Sequence, residues 1–132
     1  MDLKLSDLLY CHYEKGGCGP HGYDCWGLCR EVYRRAGRNL PVYSDYLTRL
    51  DVASVICKVR DESGDFIEIP KPEYLAIILL MLGRNLHTGI VLEDGKFIHV
   101  MKNLNVSIER LDSLRFRQRI RGYYRYVADN QA

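Results

Sequence analysis

From Phe66 onward the hydrophobic period of the chain is two, and this constrains the fold more than any other feature. Phe66-Ile67-Glu68-Ile69, Tyr74 to Leu82, Leu86 to Leu92, Lys96 to Met101, Val106 to Ile108 and Gln118 to Val127 read as strands rich in β-branched and aromatic residues. Turn residues such as Gly83-Arg84-Asn85 and Glu93-Asp94-Gly95 separate them. Strands joined by connections this short pair antiparallel. Before Phe66 the period is helical. Helices followed by consecutive strands predict an α+β domain, with N-terminal helices packed on one side of an antiparallel sheet of about five or six strands.

The clearest helix follows Gly22-Tyr23. Asp24 caps it, Cys25, Leu28, Cys29, Val32 and Ala36 recur at helical spacing, arginines crowd its last turn, and Gly37 supplies a left-handed stop. A cysteine in the first turn feels the positive end of the helix dipole and nearby free N–H groups, which favour the thiolate. Cys25 is thus a candidate nucleophile, set against the plainer reading of a small buried residue at a helix entry. Leu3 to Tyr10 suit a short helix capped near Ser6, and a second helix is expected from Ser44 or Asp45 to about Cys57. Between Cys11 and Gly22, glycines and Pro20 predict an irregular loop. Its spacing matches no phosphate-binding glycine motif.

A length of 132 residues fits one domain, 1–132, and a net charge of +2 gives no warrant for a nucleic-acid partner. The apolar run Tyr74 to Leu82 is about half of what a membrane span needs. The N-terminus carries acids and no signal-peptide core, so the protein is expected to be made in, and to stay in, a cytoplasm. Five cysteines form an odd set of reduced thiols, and without a Cys-x-x-Cys pair they match no common zinc spacing. Neither a metal nor a cofactor is expected.

Two histidines, His87 and His99, lie on consecutive predicted strands. Thiol-based acyl chemistry needs a nucleophile, a base that pairs with it and a third group that orients the base. Cys25, His87 and His99 supply these in chain order. The hairpin between the histidines decides whether they can meet. A two-residue Asp94-Gly95 turn would put them on opposite faces of the sheet. A three-residue Glu93-Asp94-Gly95 loop pairs Leu92 with Lys96, Gly89 with His99 and His87 with Met101, so that both imidazoles share one face. The three-residue loop is the expectation. Arg115, Arg117, Arg119 and Arg121 alternate, and on a strand they would form one solvated face.

These motifs resemble the NlpC-type (NlpC and p-sixty) cell-wall cysteine peptidases. Asp24-Cys25-Trp26-Gly27-Leu28 is similar to the family's Asp-Cys-Ser-Gly-Leu motif, and His87-Thr88-Gly89-Ile90 to its His-Val-Gly-Ile strand. Phe97-Ile98-His99-Val100 resembles the strand with the third polar residue, and Tyr13-Glu14-Lys15-Gly16-Gly17 the Tyr-x-x-Gly-Gly loop. Gly19-Pro20, Trp26, Leu40-Pro41 and Arg121-Gly122-Tyr123-Tyr124-Arg125-Tyr126 resemble the branch found in phage tail gene clusters. The resemblance implies a papain-like fold and metal-free hydrolysis of peptidoglycan stem peptides beside D-glutamate and diaminopimelate. It also implies a role with other phage tail proteins in tail assembly or cell entry. Cys25 would be the nucleophile, His87 the base and acid, and His99 the orienter. The Cys25 N–H would help bind the oxyanion, and Tyr13, Asp24 and Trp26 would form the substrate-binding set. Trp26 stands where relatives carry a serine that holds a free substrate amine, and Glu73-Tyr74 where they carry Gly-Asp. The alternatives are an inactive structural subunit of a tail tip with the same fold, and a lipid acyltransferase or deamidase using the same thiol.

Overall fold

The computed structural model describes residues 3–17, 19–41 and 64–128. The helix expected near residues 44–57 lies outside the described residues, as do Cys18 and Cys57. Among the described residues the elements are a 3-10 turn (Ser6–Tyr10), β1 (His12–Tyr13), β2 (Gly22–Tyr23), α1 (Cys25–Arg35), β3 (Phe66–Ile69), β4 (Ile77–Leu82), β5 (Asn85–Val91), β6 (Lys96–Val100), β7 (Val106–Arg110) and β8 (Ile120–Tyr126). The last six form one antiparallel sheet in the order β3-β8-β4-β5-β6-β7. This is the α+β arrangement expected from the sequence, with strand ends moved by one to three residues.

Alternation along the strands divides the core into two layers. Ile77, Leu79, Ile90, Ile98, Val100, Tyr124 and Tyr126 face α1, which lies across β5 and β6 and supplies Leu28, Cys29, Val32 and Tyr33. Ala76, Ile78, Leu80, Val91 and Phe97 face the other way and are covered by Phe116 from the turn-rich segment 111–119. A bulge between Leu79 and Leu80 shifts the β4–β8 register, so Leu80 pairs with Ile120.

Four local expectations change. The N-terminal helix is a single 3-10 turn with Leu5 at its cap position and no side-chain cap, because five residues are too few to sustain an α-helix. The loop from Cys11 to Gly22 is not wholly irregular: β1 and β2 pair in parallel, His12 with Gly22 and Tyr13 with Tyr23. Leu75, at φ +68°, turns the chain before β4, which therefore starts at Ile77 rather than Tyr74. Arg115, Arg117 and Arg119 lie in turns rather than on a strand, because buried Phe116 anchors the segment and the Ser113 hydroxyl accepts its N–H at 3.3 Å.

Gly27, inside α1, is held there by contact rather than by backbone conformation. A Cβ at this position would lie 2.1 Å from the Gly17 carbonyl oxygen. That oxygen also accepts the Asp24 N–H at 3.1 Å, so the loop rests directly on the first turn of the helix. Alanine is intrinsically better than glycine in a helix by about 1 kcal/mol. We expect Gly27→Ala to destabilise instead, by about 1–3 kcal/mol, because the loop must move. Chemical denaturation of the two proteins measures the sign.

Candidate active site

The chain enters α1 in extended conformation at Asp24, whose Oδ1 accepts the Gly27 N–H at 2.7 Å. This capping bond sets where the helix begins and therefore where Cys25 sits. Asp24 is 2% exposed, and burial raises its carboxyl to about pH 6 against the N–H groups of Gly27, Gly16 and Trp26, which favour the anion. Tyr13 on β1 is half-buried, and the nearby Cys25 and Asp24 add to the burial that raises its phenol. Trp26 points the other way. It is fully buried, its Nε1 donates to the Pro41 carbonyl at 3.1 Å and its ring packs edge-on to Phe66. Trp26, expected in the substrate-binding set, is thus placed in the core, with none of its side chain at the surface.

The histidines come from the β5–β6 hairpin. Ile90 pairs with Ile98 and Val91 with Phe97, and the Leu92 N–H donates to the Lys96 carbonyl at 2.7 Å. This is the register of a three-residue loop, with Asp94 at φ +60° and Gly95 at φ +70°. In that register Gly89 stands opposite His99, where a Cβ would come within 2.8 Å of the Ile98 carbonyl oxygen and 3.2 Å of the His99 Cβ. Both imidazoles share the face turned from α1, and His87 Nε2 lies 2.9 Å from His99 Nδ1. His87 Nδ1 is left for another partner. His99 is held between Phe97 and Phe116, with ring centroids 4.9 and 5.0 Å away.

The start of α1 approaches β5 at Thr88, where the β5–β6 ladder has stopped. Its last pair is Ile90–Ile98, and continuation would have paired Thr88 with Val100. The N–H of Thr88 points toward β6, as those of alternate residues do. There it approaches the Cys25 sulfur, together with the Thr88 hydroxyl. The same hydroxyl accepts from Cys29 Sγ at 3.6 Å. Cys25 thus lies against the residue that follows His87. Among the described residues no hydrogen bond joins Cys25 to His87. Such contacts tighten when substrate binds.

Electrostatics revise one expectation. Cys25 is 3% exposed, and burial pushes its thiol up despite the helix N-terminus and the Thr88 groups. Burial lowers His87 to about 3, helped by His99, and His99 to about 4, opposed by Glu109. Burial thus favours the neutral thiol over the thiolate expected from the helix dipole, because desolvation outweighs the dipole at a buried sulfur, and it favours the neutral imidazoles as well. Thr88 was not singled out in the sequence. Alternation with His87 would have placed it on the helix face.

The sequence matches the model of the NlpC/P60 family over residues 11–125. Among solved structures, the chain is similar to a lipoprotein-like NLP/P60 family protein from Staphylococcus aureus subsp. aureus Mu50, with TM-score 0.61, 22% identity, and coverage of 92% of this chain and 38% of that one. An NlpC/P60 family protein from Bacillus cereus ATCC 10987 gives TM-score 0.62 and 20% identity over 93% of this chain and 40% of that one. The NlpC/p60 domain of the peptidoglycan hydrolase SagA gives TM-score 0.54 and 19% identity over 84% of this chain and 86% of that domain. The chain spans about two-fifths of the length of the first two structures. Among curated proteins none matches it.

The buried histidines and Asp24 act in opposite directions on acid stability. An unfolded histidine takes up a proton near its ordinary value of 6.5, whereas His87 and His99 resist until about 3 and 4, so their stabilisation is present above pH 6.5 and lost as pH falls. Asp24, raised from 3.8 to about 6, contributes stability at low pH that is lost as pH rises through 6. With two histidines against one carboxyl, we expect the melting temperature to fall from pH 6.5 to 4. The double variant His87→Gln, His99→Gln should flatten or reverse that slope, and Asp24→Asn should steepen it, as calorimetry across the range will show.

Proposed function

The chain belongs to the NlpC/P60 family, and from that membership and the geometry of its site we propose that it is a cell-wall cysteine peptidase acting on peptidoglycan stem peptides. The observation that carries the reading is the 2.9 Å contact between His87 Nε2 and His99 Nδ1, which leaves His87 Nδ1 as the base. Cys25 gives its proton to that nitrogen as its sulfur attacks the scissile carbonyl. The Cys25 N–H, in the first turn of α1 where N–H groups have no partner within the helix, binds the developing oxyanion. His87 returns the proton to the leaving amine, and water then cleaves the acyl-enzyme with His87 again as base. A buried neutral pair suits this order, because the imidazolium appears only as the tetrahedral intermediate forms.

Tyr13, beside the nucleophile and half-buried, is assigned to substrate. Asp24 fixes the helix start and the loop. The bond adjoining D-glutamate and diaminopimelate is the proposed target, on the family resemblance of the motifs. The phage-tail role rests on the sequence features of that branch, of which Trp26 and Pro41 are joined by a hydrogen bond. The inactive tail-tip subunit is the second reading. It is disfavoured by a paired, buried histidine couple that packing alone does not require, since burying unpaired imidazoles is costly.

Digestion of purified peptidoglycan followed by mass spectrometry should release stem-peptide fragments with a free amine at the cut. Cys25→Ala should abolish release with the fold intact, Cys11→Ser should retain it, and Tyr13→Phe should lower turnover more than the melting temperature. Equal activity in folded Cys25→Ala protein would remove the thiol mechanism. An inert wild-type protein, on several peptidoglycan chemotypes, would favour the structural subunit.

A further inference from the structure

The Nε2 atom of His99 is the one buried side-chain nitrogen or oxygen among the described residues that has no hydrogen-bond partner. His99 is 1% exposed, between two phenyl rings, so an unsatisfied nitrogen there has a cost that calls for an explanation. The group facing it is Glu109 on β7, with Oε2 at 3.9 Å. The β6–β7 register pairs His99 with Ser107 and Phe97 with Glu109, so the carboxylate is the diagonal neighbour of His99 on the same face. It is held in place by the Ser107 hydroxyl, which donates to the same Oε2 at 3.0 Å. Two other ionisable groups bear on His99: His87 from β5 and Arg115 from the 111–119 segment.

Two neutral arrangements of the coupled imidazoles are chemically possible, and only one is competent. In the first, His87 Nε2–H donates to His99 Nδ1, His99 carries its proton on Nε2, and His87 Nδ1 has a free lone pair. In the second, His99 Nδ1–H donates to His87 Nε2, His99 Nε2 is bare, and His87 Nδ1 is protonated. The second cannot accept a proton from a thiol. What separates them is the group at His99 Nε2: an acceptor favours the first and a donor the second. An ionised carboxylate is only an acceptor.

We propose that Glu109 is a positioning residue that selects the competent tautomer of His87 by accepting the outer N–H of His99, completing a relay from Glu109 through His99 and His87 to Cys25. When the Cys25 proton reaches His87 Nδ1, the positive charge on that ring is stabilised through His99, whose Nδ1 is the better acceptor for having its Nε2–H bonded to an anion. Closing the 3.9 Å gap takes a small rotation of the Glu109 side chain about its bond to the Ser107 hydroxyl, and its 27% exposure leaves room for it. This rests on the peptidase reading for its catalytic consequence, and on geometry alone for its tautomers.

The test is therefore made in two parts. Nitrogen-15 NMR of the histidine rings, without substrate, should show wild-type His87 and His99 both protonated at Nε2. Glu109→Ala should move both protons to Nδ1, whereas Glu109→Gln, whose amide oxygen still accepts, should keep the wild-type pattern. On peptidoglycan, Glu109→Ala should lower kcat by about 10- to 100-fold with KM unchanged, the scale seen when partners that orient functional imidazoles are removed, and Glu109→Gln should recover most of it. Should Glu109→Ala fold poorly, Ser107→Ala, which frees the carboxylate without removing it, should shift the tautomers in the same direction by a smaller amount. Unchanged tautomers in a folded Glu109→Ala protein overturn the proposal. So does an equal loss of kcat in the alanine and glutamine variants. The tautomer shift in a protein that cleaves nothing would retain the relay and remove the peptidase reading instead.

Discussion

The site depends on the register of one hairpin. With three residues between Leu92 and Lys96, the two imidazoles fall on one face and meet at 2.9 Å; with two residues they would be separated by the sheet. The loop achieves this with two left-handed residues, Asp94 and Gly95, a conformation that aspartate tolerates and glycine adopts without strain. Gly89 then admits the close approach of β6, and beyond it the ladder ends, opening the edge of β5 to the helix N-terminus. Turn chemistry, strand pairing and the position of the candidate base are thus one constraint seen at three scales.

The opening in the ladder resolves a geometrical difficulty. Thr88 belongs to the face that α1 covers and His87 to the opposite face, so a nucleophile on α1 and a base on β5 would ordinarily be divided by the sheet. The β5–β6 pairing ends before Thr88, and Thr88 is the residue whose hydroxyl and backbone interact with Cys25 and which immediately follows His87. A continuous ladder would be more stable locally, with its Thr88 N–H bonded to β6. Giving up that pairing at a functional edge is how local order is commonly exchanged for chemistry.

Much of this was legible in the sequence because the signals were local. Period-two alternation located all six strands of the large sheet, Asp24 and Gly37 bracketed the helix, and Glu93-Asp94-Gly95 narrowed the hairpin to two registers, of which the three-residue loop is the one found. What was not legible depended on contacts between distant segments. Trp26 beside the nucleophile reads as a surface group until Pro41 and Phe66 are known to enclose it. The ionisation of Cys25 reads as favoured by the helix start until its burial is known. The alternation of Arg115 to Arg121 suggests a strand, and only the burial of Phe116 reveals turns.

Glu109 illustrates the boundary between the two. Ser107 and Glu109 sit two residues apart on β7, so their common face follows from strand alternation once β7 is seen to run past Ile108, where the sequence reading ended it. Which face of β6 they share does not, because residues 101–105 form a longer connection whose composition does not select one register. That connection is itself fixed from outside: the Tyr13 N–H donates to the Leu104 carbonyl at 2.9 Å and the Val106 N–H to the Cys11 carbonyl at 2.9 Å. The segment leading to the nucleophile thereby sets the start of β7, and with it the register that brings the carboxylate to His99. Loop, helix start, hairpin and outer strand are mechanically one unit, so a change in the Tyr13 loop should reach the histidines through β7 as well as through Cys25.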